Sequence, residues 1–264
     1  MRSAMIEALI HQYQWQLSMY VIAGIAVVSI IGKLLFSLVP TIREARQLNE
    51  AAYQAKMQRP DYAANHRWNR RWSVLYLLTL FALILPFCLT TSVQSVWRML
   101  LDVVVILMVY DFVYYFVHRF LFHGRMLVRV HAIHHRQHNP CRWDSSYIHP
   151  LEVAIGLGLY AGSILILAHV MGRFHVATII ITWIAFTEIN LHNHVLWNER
   201  RFPFKYLNYI SKMHHNHHVR FGGGNFGTIS LIYDRIFGTL DNGQGYGAKN
   251  QGLAASAGKP SDLP

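Results

Sequence analysis

Two five-residue boxes of identical spacing, His131-Ala132-Ile133-His134-His135 and His214-His215-Asn216-His217-His218, constrain this chain more than any other feature. Each reads H-x-x-H-H. On an α-helix, positions i, i+3 and i+4 share one face, so each box is expected to aim three imidazoles at one spot. Neutral imidazole suits iron, zinc, copper and nickel, and six converging rings can hold more than one ion. Upstream, His118 and His123 form an H-x4-H pair. Roughly 140° separates them on a straight helix, so the helix should end or distort between them if both serve one centre. His215 lies off the shared face of its box and is expected to stand aside.

The chain around the boxes is apolar. Of 264 residues, 53% are hydrophobic and 14% charged, and the mean hydropathy is +0.22. Soluble domains average about 25% charged residues, so this composition points to an integral membrane protein. The net charge of +11 falls between apolar runs rather than in a soluble basic domain. That placement suits orientation in a membrane and argues against nucleic acid as a partner. Cys88 and Cys141 alone make no disulfide framework.

Taken in order, Met19 to Val39, Trp72 to Leu89, Leu100 to Val117, and a hairpin of Leu151 to Met171 and Val176 to Leu191 are the candidate spans. Each is judged against a hydrocarbon core of about 30 Å. The last arm is short enough to be only partly immersed. Thr41 to Arg71 is expected to be a polar basic loop, with Arg43, Arg46, Lys56, Arg59, Arg67, Arg70 and Arg71 marking the cytoplasmic side. Counting back and forth from it places His118, both boxes and His192 on that side, with the amino terminus outside. His169 and His175 fall at the opposite face. The expected fold is all-α: a polytopic helical bundle of four to five spans with a cytoplasmic His-rich helical cap. Its parts are residues 1–71 as a first span and basic loop, 72–240 as the catalytic membrane domain, and 241–264 as a disordered tail.

Four further groups are candidates for chemistry. Asp111, Tyr114, Tyr115 and His118 make a polar stripe on an otherwise apolar span. An ionisable residue inside a span is a functional hypothesis by default. Asp111 is expected to accept a hydrogen bond from a ligating histidine. Glu188 and His192 are i, i+4 partners at the end of the hairpin, which favours His192 over His194 as an additional ligand. His138 and His149 are alternatives, with a solvated surface role as the simpler account of His138. Asn139-Pro140 is expected to end the helix that carries the first box.

The pattern resembles the fatty acid hydroxylase/sterol desaturase superfamily of membrane non-haem di-iron enzymes. The resemblance rests on Asp111 through His123, His131-x-x-His134-His135, His149-Pro-Leu-Glu152 and Leu191-His192-Asn193-His194. It continues with His214-x-x-His217-His218 and the stretch Asn225-Phe-Gly227 to Asp234-Arg-Ile-Phe-Gly-Thr239. It implies a helical membrane core with a cytoplasmic cap holding two iron ions (Fe2+/Fe3+). It implies O2-dependent hydroxylation or desaturation of a membrane lipid, fatty acyl or sterol-like. Electrons would come from a separate ferredoxin- or cytochrome-type donor and its reductase. The implied ligands are His118, His123, His131, His134, His135, His192, His214, His217 and His218, with Asp111, Tyr115, Glu188 and Asp234 as catalytic candidates. The implied location is the inner membrane of a bacterium or the endoplasmic reticulum of a eukaryote, with the site facing the cytoplasm.

Two other readings compete. A non-enzymatic membrane metal-binding or transport protein needs only His-rich composition, whereas here the i, i+3, i+4 spacing recurs with Asp and Tyr in register. A carotenoid-type hydroxylase would share the same class of chemistry. A zinc hydrolase of the usual kind would need an H-E-x-x-H motif, which the sequence lacks.

Overall fold

The computed structural model describes residue 7, residues 12–197, residue 199 and residues 201–246. The expected disordered tail from 247 onward lies outside the described residues. Within 241 to 246, Asp241 is buried and accepts the Gly243 and Gly245 N–H groups.

The first apolar run forms α1, Trp15–Ser37, about 35 Å long at the α-helical rise. Two further helices, α2 (Pro40–Met57) and α3 (Pro60–Thr79), follow where the sequence suggested a loop. The expectation of a polar loop over 41–71 is therefore corrected. Pro40 and Pro60 each sit at the first helical position after an extended residue, which is the place a helix accepts proline. The Ala, Glu, Gln, Arg and Lys residues between them are good helix formers. Charge hid the helices because it was counted for orientation rather than for propensity.

Helix α3 continues through a π turn (Leu80–Ile84) and a 3-10 turn (Leu85–Phe87). Pro86 has no N–H with which to carry the α-helical ladder further. Next, α4 spans Val96–Phe116, with the Ser95 hydroxyl accepting the Arg98 N–H at its start, and runs into a π turn at Val117–Phe122. A one-turn helix α5 (Val128–His131) and short 3-10 turns lead to α6 (Pro150–Met171) and α7 (Val176–Asn193). Helices α8 (Phe204–Val219) and α9 (Ile232–Ile236) close the described chain.

Among the described residues, four helices are long and apolar enough to cross a membrane: Trp15–Ser37, Pro60–Phe87, Val96–Phe122 and Pro150–Met171. The molecule is thus a helical bundle with four candidate spans. Helix α7 packs between α1 and α4, where Gly24 lets α1 approach so closely that a Cβ there would lie 2.4 Å from Ile180 Cδ1. The core joins Val21 of α1, Ile106 and Tyr110 of α4, Tyr160 of α6, and Ile179 and Phe186 of α7.

One end of the bundle is tied by two-residue strands, β1 (Leu89–Thr90) and β2 (Phe174–His175), which pair in parallel. There Arg98 bridges Asp102 and the Met171 carbonyl, and the His175 ring caps α7 by accepting the Ala177 N–H. The end of α4, the starts of α3 and α6, and the end of α7 meet at the other end. All the boxed histidines are there.

Candidate metal centre

Each H-x-x-H-H box serves two clusters rather than one. The ring nitrogens of His118, His123, His131, His135 and His217 form the first cluster, and those of His134, His194, His214 and His218 the second; within each, the facing atoms lie within 4.8 Å of one another. The expectation that a box aims all three rings at one spot is corrected. In both boxes the i, i+4 pair shares a cluster and the remaining histidine reaches the other. His131 and His135 join the first cluster, while His214 and His218 join the second.

The two boxes reach this split by different backbones. The later one lies wholly on α8. In the earlier one, α5 already ends at His131, and a 3-10 turn carries His134 and His135. The stop at Asn139-Pro140 thus comes after the helix has ended. The H-x4-H pair behaves as its spacing requires: the His123 N–H donates to the His118 carbonyl at 3.0 Å, an i to i+5 turn. This π turn brings both rings to one side, with centroids 5.0 Å apart. Such single π turns recur at functional sites.

The protonation pattern follows from the partners. Nδ1 of His118 faces the Phe226 carbonyl at 2.7 Å, that of His123 the Phe221 carbonyl at 2.7 Å, and that of His217 the Gly224 carbonyl at 2.8 Å. Nδ1 of His134 faces the Tyr147 carbonyl at 3.3 Å and that of His194 the Asn190 carbonyl at 3.0 Å. His131 Nδ1 faces Glu152 Oε1 at 2.8 Å. All six partners are acceptors, so these rings carry their proton on Nδ1 and turn a bare Nε2 lone pair inward. Those lone pairs then meet one another. His118 and His131 Nε2 lie 3.0 Å apart, His123 and His217 3.2 Å, and His134 and His194 3.1 Å. Lone pairs packed this closely repel unless a cation lies among them, and both clusters fit a metal ion on that ground. The second cluster abuts the first, with His135 and His218 ring centroids 4.9 Å apart.

Burial reinforces neutrality. It pushes His123 and His131 down to about 3, the neighbouring His131 adding to the effect on His123. Burial first, then the neighbouring imidazoles, drives His194, His214, His217 and His218 well below the ordinary value for histidine. Neutral imidazole is the form that binds metal.

His192 stands outside both clusters, and the expectation for it is corrected in favour of His194. Its Nε2 donates to the Leu207 carbonyl at 2.9 Å. The Glu188 partner that suggested it is itself exposed and paired with Arg142 at 2.6 Å. His149 caps α6 by accepting the Leu151 N–H, and His138 is exposed. His215, half-buried, belongs to neither cluster.

None of the four catalytic candidates touches the clustered rings; Asp111 and Asp234 hold backbone, and Tyr115 and Glu188 pair with other side chains. Asp111 accepts no histidine hydrogen bond, contrary to expectation. It takes the N–H groups of Thr228, Ile229 and Ser230 and the Ser230 hydroxyl, all between 2.8 and 3.1 Å. Asp234 takes the Phe226 and Gly227 N–H groups at 2.8 and 2.7 Å and the Thr239 hydroxyl at 2.7 Å. Tyr115 completes that chain through Thr239 Oγ1 at 2.9 Å and receives Arg119. Asp234 and Tyr115 therefore fix the Phe226 carbonyl that orients His118. Glu188 reaches no clustered histidine. The residue missed as an orienting group is Glu152, an acid buried in the first turn of an apolar helix. That position was the available signal. A cavity of about 20 Å³ lies beside His214, lined also by Asn193, Ile210, Ile229 and Leu231.

The profile of the fatty acid hydroxylase family matches residues 103–239. Methylsterol monooxygenase 1 of Rattus norvegicus is 33% identical over 132 residues, 48% of this chain and 42% of that protein. Protein CER1-like 1 of Arabidopsis thaliana is 32% identical over 139 residues, 50% of this chain and 22% of that protein. Methylsterol monooxygenase erg25B of Aspergillus fumigatus is 32% identical over 163 residues, 58% of this chain and 53% of that protein. The chain thus spans about half or less of the length of these relatives. No solved structure matches. The matched region runs from α4 to Thr239 and carries both histidine clusters with the loops that orient them: the chain belongs to the fatty acid hydroxylase family.

Proposed function

We propose that the protein is an O2-dependent oxidoreductase that hydroxylates or desaturates a membrane lipid at a di-iron centre. The observation that carries this reading is the pair of adjacent clusters with inward, unprotonated Nε2 atoms. His118, His123, His131, His135 and His217 would hold one iron ion; His134, His194, His214 and His218 would hold the other. Bound iron supplies the one-electron steps and the activation of O2.

The chain's own residues prepare that chemistry. Carbonyls of Phe226, Phe221, Gly224, Tyr147 and Asn190, together with the Glu152 carboxylate, fix tautomer and ring direction before any metal arrives. Such outer partners raise ligand basicity. Asp111 and Asp234 clamp the loop from Phe226 to Ser230 across the mouth of the bundle. The cavity beside His214 is walled by Ile210, Ile229 and Leu231, and the Asn193 amide there already donates to Thr228.

Two relatives are named methylsterol monooxygenases, which favours a sterol-like or other bulky lipid as substrate. The Arg-rich elements α2 and α3, on the same end of the bundle as the clusters, support a cytoplasmic site with the amino terminus outside. Electrons would come from a separate donor of the ferredoxin or cytochrome class. A purely metal-binding protein would not need nine rings, six of them oriented by hydrogen bonds, divided between two abutting clusters.

Elemental analysis of protein extracted gently from membranes tests the reading, alongside mass spectrometry of lipids from cells with and without the gene. The expected result is two irons per chain and one lipid class whose oxidised form disappears with the gene. A reproducible single zinc with activity intact would overturn it.

A further inference from the structure

A buried polar group beside the clusters takes no part in orienting any ring. Tyr62, at the start of α3, is fully buried, and its hydroxyl donates to Asp144 Oδ1 at 2.6 Å. Asp144 is buried as well, and its Oδ2 pairs with Lys56 and accepts the Cys141 N–H. A carboxylate paired with a lysine thus faces the phenol as its hydrogen-bond acceptor. Buried ion pairs are weak contributors to stability, since desolvation offsets their attraction, so packing alone gives little reason for this one.

The rings around Tyr62 form a row from the surface to the second cluster. Trp143 is 39% exposed at the outer end. Its ring centroid lies 5.9 Å from that of Tyr53, which lies 6.3 Å from that of Tyr62. Tyr147 stacks on Tyr62 at 4.9 Å with an interplanar angle of 9°. At the inner end, the Tyr147 carbonyl accepts the His134 Nδ1–H.

We propose that Trp143, Tyr53, Tyr62 and Tyr147 form a one-electron relay between the protein surface and the metal centre, with Tyr62 as its redox-active member. Tyr62 would give one electron to the O2-activated centre as its phenolic proton moves to Asp144 Oδ1, leaving a neutral tyrosyl radical. An electron passing from Trp143 by way of Tyr53 restores Tyr62, and the proton returns from Asp144. A one-electron donor protein of the ferredoxin or cytochrome class refills Trp143. Each pass delivers one electron inward and leaves the proton count at Tyr62 unchanged. The inner half of this proposal rests on the redox-metal reading above; the competence of the row itself does not.

Full-length protein purified without metal in detergent tests the row directly. A ruthenium polypyridyl photosensitiser with a sacrificial quencher removes an electron at the surface, and electron paramagnetic resonance identifies the radical trapped on freezing. The expected product is a neutral tyrosyl radical in the native chain. Tyr62→Phe keeps the stacked ring and should lower the yield of that signal several-fold. Asp144→Asn, checked for folding by circular dichroism, should shorten the tyrosyl lifetime several-fold. A tyrosyl signal of the same yield in Tyr62→Phe would overturn the proposal. In iron-loaded protein that is reduced and then exposed to O2, the tyrosyl yield should fall several-fold in Tyr62→Phe at equal iron content; an unchanged yield would overturn the inner half. Failure of iron to load would count against the di-iron reading, while the photo-oxidation arm would still judge the relay.

Discussion

His192 and His194 sit two residues apart at the end of α7, and about 200° of helical rotation separates them. One therefore faces inward when the other faces out. The structure turns His194 toward His134, His214 and His218 at 3.0 to 3.2 Å and leaves His192 on the Leu207 carbonyl. His194→Ala is expected to strip iron from the second cluster, read as loss of about one ion per chain by elemental analysis. His192→Ala should keep both ions, and the reverse pattern would reassign the cluster. Glu152 can be tested at the same scale. Its Oε1 holds the His131 tautomer, so Glu152→Ala should weaken metal binding about 10- to 100-fold. Glu152→Gln, which still offers an oxygen acceptor, should recover part of that loss in a metal titration.

At the scale of elements, the π turn from Val117 to Phe122 is the most exposed hypothesis. It carries one residue more than an α turn would need, and that residue swings His123 back onto the face of His118. Inserting one alanine after Phe120, whose side chain is exposed, should place the two histidines six apart, about 240° on an α-helix, and swing the second ring away. The expected outcome is loss of metal from the first cluster in a chain that still folds, with His134, His194, His214 and His218 retaining theirs. Retention of both ions would show that this spacing is not what aligns the pair. This distortion was legible beforehand, because five residues cannot bring two rings together on a regular helix. The boxes were half legible. Spacing announced that His131, His134 and His135 would converge with His214, His217 and His218, but spacing on one helix cannot say that a box straddles two clusters. That division depends on the facing element, which becomes visible only when α5, α7 and α8 are packed together. Helices α2 and α3 were hidden for another reason: their Pro40 and Pro60 starts are helix signals that the density of arginine obscured.

The whole molecule carries the cost of gathering uncharged imidazoles in a dry place, and pH reveals it. Burial holds His123 and His131 at about 3 in the folded chain, against about 6.5 for histidine in an unfolded one. Between those values the unfolded state binds more protons than the folded state, so stability rises with pH across that window and falls as the solution is acidified. His194, His214, His217 and His218, also driven down by burial, act in the same direction. Asp234 acts oppositely: burial raises its carboxyl above 3.8, so its folded form is the better proton holder just above that value and it opposes the loss slightly. Buried carboxyls of this kind are fewer than the clustered histidines and do not reverse the sign. Metal-free protein in detergent should therefore show a thermal midpoint that is level above about pH 6.5 and drops steadily toward pH 4. Metal-loaded protein should hold its midpoint to lower pH, because bound ions exclude protons from the same lone pairs, and then lose metal and stability together. A midpoint of the metal-free chain that is flat from pH 7 to pH 4 would mean that the clusters open to solvent without metal. The orienting carbonyls would then be a consequence of metal binding rather than a frame built for it.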